Sequence, residues 1–133
     1  MTARARLFGT ILAVASASPA AATHPAIKAC FDKMTNGEQK SCMGELHRAA
    51  RAELDEVYRD VLERARKRET AEFSQASAIA ASQQAFEAYR NAECGQVVGG
   101  GKWGSGTAAM VTGCYAEKDY ERIQELKVPF YQR

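Results

Sequence analysis

Apolar residues recur along most of this chain at a helical period, and almost nowhere in the strict alternation of a half-buried strand. The clearest run opens at Thr35, where Thr35-x-x-Glu38 spells a capping box. From there Cys42, Leu46, Ala50, Leu54, Val57, Val61 and Ala65 follow every three or four residues and predict one apolar stripe on a long helix. Its other faces carry Asp55–Arg59, Asp60–Arg64 and Glu63–Lys67, each acid four residues ahead of its base, the order that supports a solvated helix. The basic run 64–68 (RARKR) reads as cations complementing a helix C-terminus.

A second helical pattern places Phe73, Ala76, Ile79, Ala80, Gln83, Phe86, Tyr89, Arg90 and Cys94 near one face. No Gly or Pro separates it from the first. A helix unbroken over residues 36–94 would be roughly 88 Å long at about 1.5 Å per residue and could not bury its stripe against itself. A turn is therefore predicted within 69–77, with Thr70 and Ser74 as candidate caps. Residues 95–106 (GQVVGGGKWGSG) read as a glycine-rich loop. A third helix is predicted from about Thr107 to Leu126, with Met110, Val111, Cys114, Tyr115, Lys118, Arg122 and Leu126 at helical spacing. Pro129 is expected to end it, and Phe130 and Tyr131 to fold the tail onto the bundle. The expected fold is all-α: a small three-helix bundle around one core.

Residues 1–22 have the three parts of a cleaved export signal. Arg4 and Arg6 form a positive start, Leu7 to Ala17 an apolar stretch too short to span a bilayer, and Ala20-Ala21-Ala22 the small-residue cleavage pattern. Cleavage is expected after Ala22, with Ala15-Ser16-Ala17 as the weaker choice, so that residues 23–133 form the mature domain. An acylated form needs a small-residue box directly before a cysteine, but Ile27-Lys28-Ala29 precedes Cys30, far beyond the apolar stretch. A periplasmic or secreted protein with no stable membrane anchor is expected. Once residues 1–22 are removed, the formal charge of +2 disappears, since they hold two basic residues and no acidic one. A neutral domain has no electrostatic footprint for nucleic acid.

Cys30, Cys42, Cys94 and Cys114 all lie in the mature part, and an even count in an exported chain reads as two disulfides. Three connectivities are possible, and pairing of neighbours, Cys30 with Cys42 and Cys94 with Cys114, is the simplest. Cys30, Cys42 and His47 lack the usual zinc spacings, so no metal is expected. Gly99-x-Gly101-x-x-Gly104 matches a dinucleotide fingerprint only formally, because a helix rather than a strand precedes it. No cofactor is expected. Nucleophilic catalysis needs a nucleophile with a positioned base. The cysteines are expected to be oxidised, His47 reads as a surface residue, and Glu53 with Glu56 reads as a solvated pair, so the chain does not read as an enzyme.

The glycine-rich loop holds the only tryptophan, Trp103, beside Lys102 and Ser105. An aromatic and a cation on a loop held by a disulfide suit recognition, and a Trp folded onto the core is the competing reading. Arg90 and Arg122 lie near apolar stripes with Glu93 in reach. They read either as buried arginines holding the second helix to the third or as ligand-binding residues.

From Gln84 onward, Gln84, Phe86, Tyr89, Arg90, Cys94, Gly99, Gly100, Cys114, Arg122 and Leu126 follow the pattern of the LprI-type family, small exported domains similar to the N-terminal region of the lysozyme inhibitor LprI. Cys30, Cys42, Leu54, Asp55 and Tyr58 resemble its upstream Cys…Cys…Leu-Asp…Tyr segment, so the resemblance spans the mature chain. Phe86 stands where tryptophan is usual, and Asn91 where aspartate is usual, which removes a carboxylate from the neighbourhood of Arg90 and Arg122. The resemblance implies a cell-envelope binding protein whose partner is another protein, a lysozyme, inhibited by blockade of its cleft. Lys102 and Trp103, with Ser105, are the expected contacts: a cation for a cleft carboxylate and an aromatic for a sugar subsite. The alternative is an envelope structural or stress-associated interaction module without inhibitory activity.

Overall fold

The computed structural model describes residues 23–72, 74–100 and 105–131, with the side chains of 105 and 129–131 left aside. No strand occurs among them, and the order is α1 (Pro25–Phe31), α2 (Asn36–Arg66), α3 (Gln75–Asn91), a π-helical segment (Ala92–Val98) and α4 (Ser105–Tyr131). The predicted export signal, Phe73, Lys102 and Trp103 lie outside the described residues.

Local chemistry explains the boundaries. Pro25 occupies the first turn of α1, where a missing N–H costs nothing, and His24 Nδ1 accepts from the Ala26 N–H at 3.3 Å. The turn into α2 is closed by Gln39, whose Nε2 donates to the carbonyls of Phe31 and Lys33, both at 3.0 Å. The Thr35–Glu38 capping box is complete: the Glu38 N–H donates to Thr35 Oγ1 at 3.2 Å, and the Thr35 N–H donates to Glu38 Oε2 at 3.0 Å. Ser74, not Thr70, caps α3 by accepting from the Ser77 N–H at 3.2 Å.

The three predicted helices form the bundle, and the short α1 is an addition to it. Its Ile27 and Cys30 are buried in the core with Met43, Ala109 and Ala116. The predicted glycine-rich loop begins later than expected. Helix α3 passes straight into the wider π-helical turns and stops at Gly99, whose N–H donates to the Cys94 carbonyl at 3.1 Å. A Cβ at Gly99 would run into the Gly95 carbonyl oxygen, so this tight exit requires glycine. At the other end, Pro129 does not terminate α4, and residues 130–131 continue the helix instead of folding back. A proline this near a helix end forfeits a single backbone bond where bonds are already being lost.

Helix α2 runs parallel to α4. Met43 meets Gly113, His47 faces Asp119, and Glu53 pairs with Lys127 at 2.9 Å, so partners advance together along both helices. Helix α3 is antiparallel to both, with Arg90 beside Asp119 and Gln83 beside Arg122. The α2–α4 approach is close because Gly113 has no side chain. A Cβ there would lie 3.1 Å from Met43 Sδ. Leu54, Val57, Val61, Ile123 and Leu126 form the far half of the core, with Tyr58, Ile79, Phe86 and Tyr120 packed on it.

The predicted face of α4 is buried at Val111, Arg122 and Leu126, but the core also takes in positions outside that face and leaves Met110 out. Ala109, Ala116, Asp119 and Ile123 are fully or almost fully buried, while Met110 is 53% exposed. Small residues decided this: Ala109, Gly113 and Ala116 let α4 settle against α2, which turns Met110 outward. The disulfides are Cys30–Cys42 and Cys94–Cys114, the neighbour pairing, and both lie at the end where α2 and α4 begin.

Candidate functional site

Two features stand out from ordinary helix packing: a buried polar network along α3, and an apolar groove at the disulfide end.

The network is built by side chains that the antiparallel α3 turns toward its neighbours. Asp119 of α4 is fully buried, and its Oδ1 accepts from Arg90 Nη1 of α3. Its Oδ2 has no direct protein partner within hydrogen-bond distance, and faces His47 Nε2 of α2 at 3.9 Å. His47 stacks on Tyr115, with ring centroids 5.4 Å apart. Burial is the main reason that the His47 imidazolium is disfavoured. Asp119 opposes this, and the cations of Arg90, Arg51 and Arg48 add to it, leaving the pKa below the usual histidine value.

Arg122 reaches from α4 to α3, donating from Nε to Gln83 Oε1 at 3.1 Å and from Nη2 to Ser82 Oγ at 2.8 Å. Its Nη1 donates to Glu125 at 2.9 Å. Gln83 passes the network on to Glu87, which takes an ion pair from Arg51 of α2 at 3.0 Å. The hydrogen bond from Arg51 is the leading cause that holds the Glu87 carboxyl below the ordinary glutamate range. The Phe86 ring faces both guanidinium groups, with Arg90 at 5.7 Å and Arg122 at 5.4 Å from its centroid.

Of the residues singled out from the sequence, Arg90 and Arg122 are therefore both brought to the Phe86 ring, under the surface and bonded to their neighbours. Glu93 is not their partner; its charge acts on Lys118. The carboxylate that Asn91 does not supply comes from Asp119, while Asn91 Oδ1 accepts a weaker bond from Arg90 at 3.4 Å. Asp119, Arg51 and Glu87 escaped the sequence reading. The usable signal for Asp119 was its place in the stripe Ala109, Ala116, Ile123, where a charge at a core position demands a partner.

The groove is lined by Ile27 and Phe31 of α1, Val98 of the π-helical segment, and Met110 and Cys114 of α4. Phe31 is 41% exposed, and Met34, three residues after it, and Val97, next to Val98, are more exposed still. Glu117 and Glu121 border it. Lys102 and Trp103 lie outside the described residues, as does the Ser105 side chain, so the expected contacts on this segment are not placed. Among the described residues, no three His, Cys, Asp or Glu side chains are placed to hold a metal ion. No described helix is long and apolar enough to cross a membrane.

Comparison with known proteins yields one finding. The family model described as "Lysozyme inhibitor LprI" matches residues 27–126, from α1 through most of α4. No curated protein and no solved structure matches the chain.

Proposed function

The chain belongs to the LprI family, and from that premise we propose that it is an exported binding protein that inhibits a lysozyme by covering its cleft. Removal of residues 1–22 is part of this reading, and the working compartment is the periplasm or the medium outside. Oxidised cysteines suit such a compartment.

The observation that carries the reading is the apolar surface at the disulfide end. Phe31, Met34, Val97 and Met110 are exposed there while the core behind them is closed. Exposed apolar residues gathered on a rigid end mark a protein-binding surface. Both disulfides hold the backbone beneath it, so little ordering is lost on binding. Lys102 and Trp103, on the segment that follows Gly100 in the sequence, supply the cation and the aromatic that a carboxylate-lined, sugar-binding cleft accepts. Arg90 and Arg122 act behind this surface as the clamps that set α3 against α4.

The test is inhibition of cell-wall clearing by several lysozyme classes. Saturable inhibition at near-stoichiometric concentration is expected. Replacing Lys102 and Trp103 together by alanine, or Phe31 and Met110 together by serine, is expected to weaken it by at least tenfold, about 1.4 kcal/mol. A folded, oxidised protein that inhibits no class would replace this reading with that of an envelope interaction module.

A further inference from the structure

His24, next to the expected cleavage point, is anchored to α4. The His24 N–H donates to both carboxylate oxygens of Glu117, at 3.0 and 3.1 Å, across 93 residues of sequence. The His24 ring lies flat on Tyr120, with centroids 4.0 Å apart and planes 7° from parallel, and its Nδ1 caps α1. Thr23 shares the wall of the apolar groove with Glu117 and Glu121. Glu121 is neutralised by Lys118 at 2.8 Å, but no described side-chain cation pairs with Glu117. Among the described residues, its hydrogen-bond donor is the neutral His24 N–H.

We infer that removal of residues 1–22 completes this site: the α-ammonium released on Thr23 is the cation that Glu117 is placed to hold. The expected bond cleaved is Ala22–Thr23. An export-linked endopeptidase adds one water across it, leaving a carboxylate on Ala22 and an amine on Thr23 that takes up a proton at neutral pH. Successive Cα atoms are about 3.8 Å apart, so a charge on the residue before His24 lies within reach of the carboxylate that His24 already bonds. Cleavage after Ala17 would leave Ser18 to Ala22 in front of Thr23 and carry the charge away. An uncleaved chain has a neutral amide there. Cleavage therefore precedes docking: the bond is cut on the extended chain, and folding then seats the new terminus between α1 and α4. This inference does not depend on lysozyme inhibition.

The experiment begins with the full chain expressed with export and its intact mass measured. A mature protein starting at Thr23 is expected, and any other start overturns the inference. Two changes are then combined. Glu117→Gln keeps an acceptor for His24 but removes the charge, and a glycine inserted between Ala22 and Thr23 displaces the ammonium by one residue. Glu117→Gln is expected to lower Tm by about 2–4 °C in the chain starting at Thr23, and by clearly less in the glycine-extended chain. Equal losses in the two chains, with both starts verified by mass, would show that Glu117 does not hold the terminus.

Discussion

Asp119 is the most consequential single residue in the fold. Its carboxylate is fully buried, and it neutralises Arg90 at the point where three helices meet. Removing one member of a buried pair leaves the other uncompensated, so Asp119→Ala is expected to destabilise by about 3–5 kcal/mol, read from urea denaturation. Replacing both partners, Asp119→Leu with Arg90→Met, should recover most of that loss. A double variant as unstable as the single one would mean that the pair does more than neutralise itself. His47 makes a second prediction at this scale. Its pKa is lowered in the folded state, so the unfolded chain takes up the proton first. Stability is then full above the unfolded value near 6.5 and declines as pH falls below it toward the folded value. His47→Gln should flatten the dependence of the urea midpoint on pH between about 7.5 and 5. The two arginines were legible from their place beside apolar stripes. Their partners were not, because Asp119 is 29 residues from Arg90 and only packing brings them together.

At the scale of the element, caps and close approaches carry the argument. Both reciprocal bonds of the Thr35–Glu38 box are present, and Thr35→Ala is expected to cost about 1 kcal/mol in the same assay. This box was fully readable, because a cap depends on residues three apart. The face of α4 was readable only in part: Val111, Arg122 and Leu126 are buried as expected, and Met110 is not. Hydropathy weights Met110 above Gly113, but close packing of two helices favours the residue without a side chain. Gly113→Leu drives atoms into Met43 and is expected to cost about 1–3 kcal/mol, whereas Met110→Leu, at an exposed position, should stay within about 0.5 kcal/mol. Equal costs would mean that α2 and α4 are not held at this distance by the glycine.

Across the whole molecule, two short covalent loops hold the end that presents the proposed binding surface. The bridged cysteines are 12 and 20 residues apart, and closing loops of this size stabilises by about 3 kcal/mol each, chiefly through the unfolded chain. Full reduction should therefore lower Tm sharply and abolish binding at this end before the far half of the core around Leu54, Val61 and Ile123 loses its helicity. Inhibition and far-UV circular dichroism followed together during reduction check this. Loss of both signals in one step would show that the two halves of the core melt as a unit.

What the amino-acid sequence determined unaided is what short spacings encode: three long helices, the Thr35–Glu38 cap of the first, a turn between the first two with Ser74 as one of two candidate caps, and the oxidised cysteines with neighbour pairing as the simplest choice. These depend on a three- to four-residue period, on capping side chains, and on the count and context of cysteines. Tertiary structure alone decided the rest. It set α2 parallel to α4, turned Asp119 inward to Arg90, ran α3 on into a π-helical turn up to Gly99, and gathered Ile27, Phe31, Val98 and Met110 into one groove. The physical reason is common to all four. Each depends on how nearly two backbones can approach and on which charge finds a partner at the resulting distance, and neither quantity exists until the helices are packed.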